Sequence, residues 1–306
     1  MKIMEKENKR RGREGRAGRC PWYKVMPDTS LAVDAFNYGA VPRVTHYLLS
    51  HFHYDHYVGL SRTWDRPILC SSVTKRLAVS RFRLPERLFI TMDAGEEAVV
   101  AGVHLTALDA NHCPGSLMFV LRLPTGATTL HTGDFRASPE MEELPVLWNL
   151  RVDRVYLDTT YCTPQYDLPA QGDVVARTVE LAAEFVTRWP GAVIMVGAYT
   201  VGKECLVKAV AEEVDGRLWT PAAQCKVWRC LADRSLLDRL VEDRAEARAE
   251  ARAEARVQVV DTKLVSWGGL AQQLDKAGGM FDRVLGIRPT GWTHGKGAAT
   301  ASSEGS

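Results

Sequence analysis

Short apolar runs separated by turns fill the chain from about residue 30 onward. Runs at 30–33, 44–49, 103–108, 117–123, 128–131 and 154–157 have strand length and strand composition. Pro124-Thr125-Gly126 separates two of them and predicts a hairpin turn. Over 174–189 the period lengthens to that of a helix, with Val175, Val179, Leu181, Ala182, Phe185 and Val186 on the side expected to be buried. A buried strand at 192–198 and a helix at 202–214 follow. The second half therefore alternates strand and helix, which predicts an α/β unit.

Two stretches fall outside this pattern. Residues 244–256 repeat Arg-Ala-Glu-Ala, a composition that favours helix. The arginines recur every four residues and so do the glutamates, which places like charges at i,i+4. The segment is expected to be a solvated, low-complexity helical insert. Residues 295–306 are small and polar and are expected to be a disordered tail.

Apolar residues make up 46% of the 306, enough for a sizeable core, and the net charge of +2 does not by itself point to nucleic acid. Charge is concentrated instead in residues 1–19, expected to be a basic, disordered arm suited to a nuclear address or to phosphate contact. That arm lacks the apolar core of a signal peptide, and the run 192–196 is too short to span a bilayer, so no membrane association is expected. Seven scattered cysteines without a CxxC pair read as reduced thiols of an intracellular protein.

Chemistry is concentrated at His51-Phe52-His53-Tyr54-Asp55-His56, directly after the run 44–49. His51 and His53, two apart, can point to one side and hold one metal, and Asp55 and His56 on the next turn can hold a second. Two later residues also fall at strand ends. His112, in Asp109-Ala110-Asn111-His112-Cys113-Pro114-Gly115, suits a third ligand for the first metal. Asp134, in His131-Thr132-Gly133-Asp134, can bridge two cations about 3.5–4 Å apart through its two oxygens. Zinc fits this histidine-rich set best, as one ion or two, and the carboxylates leave Mn²⁺ or Mg²⁺ open. In Tyr199-Thr200-Val201-Gly202-Lys203-Glu204 a strand, a glycine turn and a helix start coincide. Tyr199, Thr200, Gly202 and Lys203 are the expected phosphate or DNA-backbone contacts there, with an ordinary helix cap as the alternative.

HxHxDH, the later histidine and the Gly-Asp form a metallo-β-lactamase signature. Val33-Asp34-Ala35-Phe36, Leu130-His131-Thr132-Gly133-Asp134-Phe135-Arg136, Tyr156-Leu157-Asp158-Thr159-Thr160-Tyr161-Cys162 and Arg288-Pro289-Thr290-Gly291-Trp292-Thr293-His294 narrow it. Together they resemble the β-CASP nucleases of DNA interstrand cross-link repair, over roughly residues 19–294 apart from the insert. The resemblance implies an αββα sandwich with an inserted β-CASP domain. The lactamase part would span 20–162 and the β-CASP part 163–294. It also implies 5′-to-3′ exonuclease action on DNA with a 5′-phosphate end, in the nucleus, by a monomer working beside other DNA-repair proteins. Asp34 matches a motif carboxylate that supports the site without being a main ligand. Asp158 matches the β-CASP acidic motif, with a turn aspartate as the alternative. His294 lies in a motif expected near the DNA channel.

The chain departs from the family pattern in two places. A Ser-Glu/Asp-His-Ser-Ser motif expected beyond residue 294, whose histidine completes the second metal set, is not found, and Gln258 stands where an earlier family histidine is expected. One protein ligand of the second metal, and the last part of the sandwich, are expected to be missing. Two further readings therefore stay beside the exonuclease: a non-catalytic DNA-binding scaffold that keeps one metal, and an RNA-processing β-CASP enzyme. A small-molecule lactamase or thioesterase is disfavoured, because the inserted segment implies a polymer substrate.

Overall fold

A computed structural model describes residues 19–241 and 252–293. The expectations for the arm before residue 19, for residues 244–251 of the insert, for His294 and for the tail lie outside the described residues. The chain divides into two compact units. The first comprises residues up to 111 and 115–157, and the second comprises 112–114 and the chain from 158 onward.

The first unit contains two sheets. Strands β1 (Leu31–Val33), β2 (His46–Leu48), β3 (Ile68–Cys70) and β4 (Phe89–Thr91) form a parallel sheet in sequence order. Strands β5 (Glu97–Val100), β6 (Val103–Asp109), β7 (Leu117–Arg122) and β8 (Thr128–His131) form an antiparallel meander. β9 (Arg154–Tyr156) adds to it in parallel beside β8. Leu31, Val33, Leu48 and Leu69 of the first sheet pack against Val103, Leu105, Ala107, Phe119 and Leu121 of the second, which makes a sandwich. Leu108, Met118 and Val120 point to the other side of the second sheet, where Met141, Leu144 and Leu147 of the short helix α3 (Pro139–Glu142) and the turn after it cover them. Helices α1 (Tyr54–Tyr57) and α2 (Ser72–Phe82) follow β2 and β3, and the Ser71 hydroxyl caps α2 by accepting the Thr74 N–H.

The hairpin turn stands where the sequence places it. Gly126 donates to Leu123 O at φ +86°, in the left-handed region that glycine tolerates. The sequence reading did not include β3, β4 or β5.

In the second unit β10 (Val193–Ala198) is central in a parallel sheet of order β11 (Leu218–Trp219), β12 (Val257–Asp261), β10, β13 (Val284–Ile287). Alternate residues of β10 serve opposite faces. Ile194 and Val196 pack among α4 (Gln171–Arg188), α5 (Glu204–Glu213), α6 (Ala222–Leu231) and α7 (Arg234–Asp238), whereas Val193 and Met195 face Leu270 of α8 (Trp267–Lys276) together with Phe281. A parallel sheet covered on both sides needs such continuously apolar strands. In α4, Val175, Val179, Ala182 and Val186 form the buried stripe. Leu181 is 45% exposed, against the sequence expectation, because the helical repeat carries it off that stripe. Among the described residues no helix is long and apolar enough to cross a membrane.

Candidate metal centre

Parallel pairing brings the carboxyl ends of β1 and β2 together, and Asp34 N–H donates to Leu48 O at 2.9 Å where the strands end. Asp34 is buried, at φ +51°. Its Oδ1 accepts the Ser50 N–H at 2.9 Å and its Oδ2 accepts the Ser50 hydroxyl at 2.7 Å. His56 Nδ1, at the end of α1, donates to Oδ2 at 2.7 Å. The His56 ring is thus held by a carboxylate behind it, and Nε2 faces forward to Asp134 Oδ1 at 3.2 Å and Asp55 Oδ2 at 3.5 Å. This is the arrangement in which a second carboxylate fixes a histidine ligand's tautomer and direction.

His51 is wholly buried. Its Nδ1 lies 3.0 Å from Ser50 Oγ, and its Nε2 lies 2.9 Å from His53 Nδ1 and 3.9 Å from Asp134 Oδ2. Ser50 therefore touches Asp34, His51 and His56, a joint that no sequence motif announced.

Asp134 reaches this place from the other sheet. Gly133, at φ +55°, packs so closely that a Cβ there would stand 3.0 Å from Ser50 Cβ. A side chain there would push the β8 loop and the histidine loop apart by a few tenths of an ångström and strain the backbone. His131, also absent from the sequence reading as a site residue, accepts the Gly133 N–H at 3.0 Å and stacks on Tyr156 with centroids 5.4 Å apart.

Electrostatics follow from this packing. Burial alone would raise the Asp34 pKa, but the His56 charge and hydrogen bond, with Lys24 and the Ser50 N–H, hold it below the usual carboxylate range. Burial opposes a charge on His56, yet Asp34, aided by hydrogen bonds to Asp134 and Asp55, pushes its pKa up to about 12. The hydrogen bond to His56 holds Asp55 down at about 2. Burial pushes His131 down to about 4, so it is neutral at pH 7. Without a cation, a proton on His56 balances the surrounding carboxylates.

The donor set suits a divalent cation. Within the first unit, ligand atoms of Asp55, His56 and Asp134 lie within 4.8 Å of one another, and so do those of His51, His53 and Asp134. Two nitrogens bound tetrahedrally to one zinc stand about 3.3 Å apart, so the His51–His53 pair needs to open by only a few tenths of an ångström. Asp134 belongs to both groups and turns one oxygen towards each.

His112 lies in residues 112–114, which go with the second unit. The ends of its loop are anchored in the first: Asn111 Nδ2 donates to Arg136 O at 3.2 Å, and Gly115 O accepts the Ser71 hydroxyl at 2.6 Å. Asp158 opens the second unit, and its Oδ1 accepts the Thr160 N–H at 2.9 Å, an aspartate turn. At the expected phosphate loop Tyr199 is exposed, Thr200 O accepts from Gln224, and Lys203 is the residue before α5. The Gly202 N–H does not point into open space. It donates to Glu204 Oε2 at 2.7 Å, and Glu204 is buried with its pKa raised by that burial. The backbone donor offered to a phosphate by the sequence already holds an internal carboxylate.

Comparison with known proteins follows the same lines. Residues 245–305 match the family model described as DNA repair metallo-beta-lactamase. The chain is 38% identical over 275 residues to the DNA cross-link repair 1A protein of Mus musculus, covering 90% of this chain and 26% of that protein. It is 36% identical over 276 residues to the DNA cross-link repair protein SNM1 of Arabidopsis thaliana, covering 90% of this chain and 55% of that one. It is 43% identical over 190 residues to the 5′ exonuclease Apollo of Gallus gallus, covering 62% and 40%. The chain thus spans between about a quarter and about half the length of these relatives. The sandwich has the metallo-β-lactamase fold, and 36–38% identity over 90% of this chain supports the DNA repair metallo-β-lactamase family.

Proposed function

We propose that this chain is a metal-dependent nuclease of DNA repair that removes nucleotides from a 5′-phosphorylated DNA end in the 5′-to-3′ direction, in the nucleus. The observation that carries the reading is Asp134, whose two oxygens face two separate groups of ligand atoms. Names of relatives support the chemistry: cross-link repair proteins and a 5′ exonuclease.

In this reading His51, His53 and His112 would hold one ion, Asp55 and His56 a second, and Asp134 would serve both. Zinc is the proposed metal, and Mn²⁺ or Mg²⁺ is compatible with the oxygen donors. When bound, such a pair lowers the pKa of water and neutralises charge on a phosphodiester. Asp34 holds the His56 ring with Nε2 forward, and Ser50 steadies Asp34 and His51. Metal binding displaces the proton that His56 otherwise keeps, so affinity rises with pH. Asp158 is assigned the part of positioning the attacking water or accepting its proton. Tyr199, Thr200, Lys203 and His294 contact the DNA backbone, and Gly202 contributes its turn rather than a free N–H.

The test is digestion of 3′-labelled single-stranded DNA bearing either a 5′-phosphate or a 5′-hydroxyl, with Zn²⁺ and with chelator. Chelator-sensitive shortening from the phosphorylated end is the expected result. DNA binding without cleavage at any metal concentration would mark a non-catalytic scaffold. Equal cleavage of RNA of the same sequence would mark an RNA-processing enzyme.

A further inference from the structure

A cavity of about 280 Å³ lies in the second unit and is lined by none of the residues assigned to the metal centre or to DNA contact. Its walls are largely apolar, with Met195, Leu274, Met280 and Phe281 among them, and Arg252 and Lys276 also line it. A half-buried guanidinium ordinarily faces a carboxylate, because an unpaired charge is costly to desolvate. Arg252 has no such partner among the described residues. Its Nε and Nη2 donate to Gln258 Oε1 at 3.3 and 2.9 Å, and Nη2 also reaches Gln273 Oε1 at 3.3 Å. Its guanidinium stacks over Trp219, 4.6 Å from the ring centroid.

These contacts fix the guanidinium without neutralising it. Gln258 is wholly buried and returns a hydrogen bond from Nε2 to Arg252 O at 3.1 Å, so the fork is held from both ends. Nη1 has no acceptor among the described residues. A fixed cation at an apolar cavity, with a lysine beside it and no anion among the described lining residues, has the form of a receptor for one acidic group attached to a compact apolar body.

We propose that this cavity binds a small organic anion, a carboxylate or a phosphate monoester carried on an aromatic-sized apolar group, with the acid on Arg252 and the apolar body against Met195 and Phe281. No lining residue belongs to the metal centre, and occupancy is read without turnover.

The full chain is titrated by calorimetry with benzoate, phenyl phosphate and the neutral benzyl alcohol. At least one anion is expected to bind about tenfold or more tightly than the alcohol, the ratio for one charge-assisted hydrogen bond. Benzoate against phenyl phosphate tells which acid the site takes. Arg252→Gln should erase the preference for the anion and leave the alcohol's affinity unchanged. Arg252→Lys, which keeps the charge and loses the fork, should fall between. Ala277→Phe, which fills the cavity from the end of α8, should abolish binding of all three, with circular dichroism confirming the fold. Absence of binding by either anion, affinity for the alcohol equal to that for the anions, or unchanged anion affinity in folded Arg252→Gln would each overturn the proposal.

Discussion

Replacing Asp34 by Asn changes one heavy atom and removes the acceptor of two hydrogen bonds, those from the Ser50 hydroxyl and from His56 Nδ1. Asp34 accepts from Ser50 N, Ser50 Oγ and His56 Nδ1 at 2.9, 2.7 and 2.7 Å. An amide oxygen still serves the Ser50 N–H, but the amide nitrogen then faces His56 Nδ1 and donates to it. That forces the ring proton onto Nε2, the atom that points at Asp134 and Asp55. A nitrogen bearing a proton cannot bind a cation. Loss of such a supporting carboxylate typically costs about 10–100-fold in metal affinity, or about 1.4–2.8 kcal/mol. The metal-free protein also loses a hydrogen bond between charged partners, about 1.5–3 kcal/mol. Competition with a chromophoric chelator measures the first quantity, and urea unfolding with EDTA measures the second. Wild-type metal affinity in folded Asp34→Asn would refute the role assigned to Asp34. So would a loss confined to the ion proposed for His51 and His53.

Further outcomes follow from the same geometry. Gly133→Ala adds a Cβ 3.0 Å from Ser50 Cβ at φ +55°. It should lower stability by about 1–2 kcal/mol from backbone strain alone and weaken metal binding by displacing Asp134; unchanged melting and metal affinity would contradict this. His131 is held neutral, with its pKa near 4 in the folded chain against about 6.5 unfolded. Below pH 6.5 the unfolded chain takes up a proton that the native one refuses, so metal-free stability should fall from pH 6.5 to pH 4 and then level off. The loss is on the order of 3 kcal/mol. Unfolding in EDTA across that range should show the slope in wild type and a flatter one in His131→Gln.

The sequence made the centre legible where chemistry is local. HxHxDH places its donors within six residues, and strand ends carry His112 and Asp134. Ser50 and His131 stayed hidden because their parts depend on which strands pair. Ser50 matters only once β1 lies beside β2 and Gly133 docks against it. Strands β3 and β4 are three residues each, too short for a period to show, and they are held by parallel neighbours rather than by their own pattern. Reading residues 199–204 as an open phosphate cradle missed that Glu204, the first residue of its helix, could fold back onto Gly202. The Arg-Ala-Glu-Ala repeat looked wholly solvated, yet Arg252 turns inward, because Gln258 and Trp219 give its guanidinium an acceptor and a ring to lie on.

The measurement that bears most directly on the central claim is the metal content of the purified chain and of Asp134→Asn after dialysis against Zn²⁺, by elemental mass spectrometry. Two ions per wild-type chain, with one or none retained by a folded Asp134→Asn, is the result expected if Asp134 joins two ligand sets. A single ion in both proteins, or two in both, would contradict it.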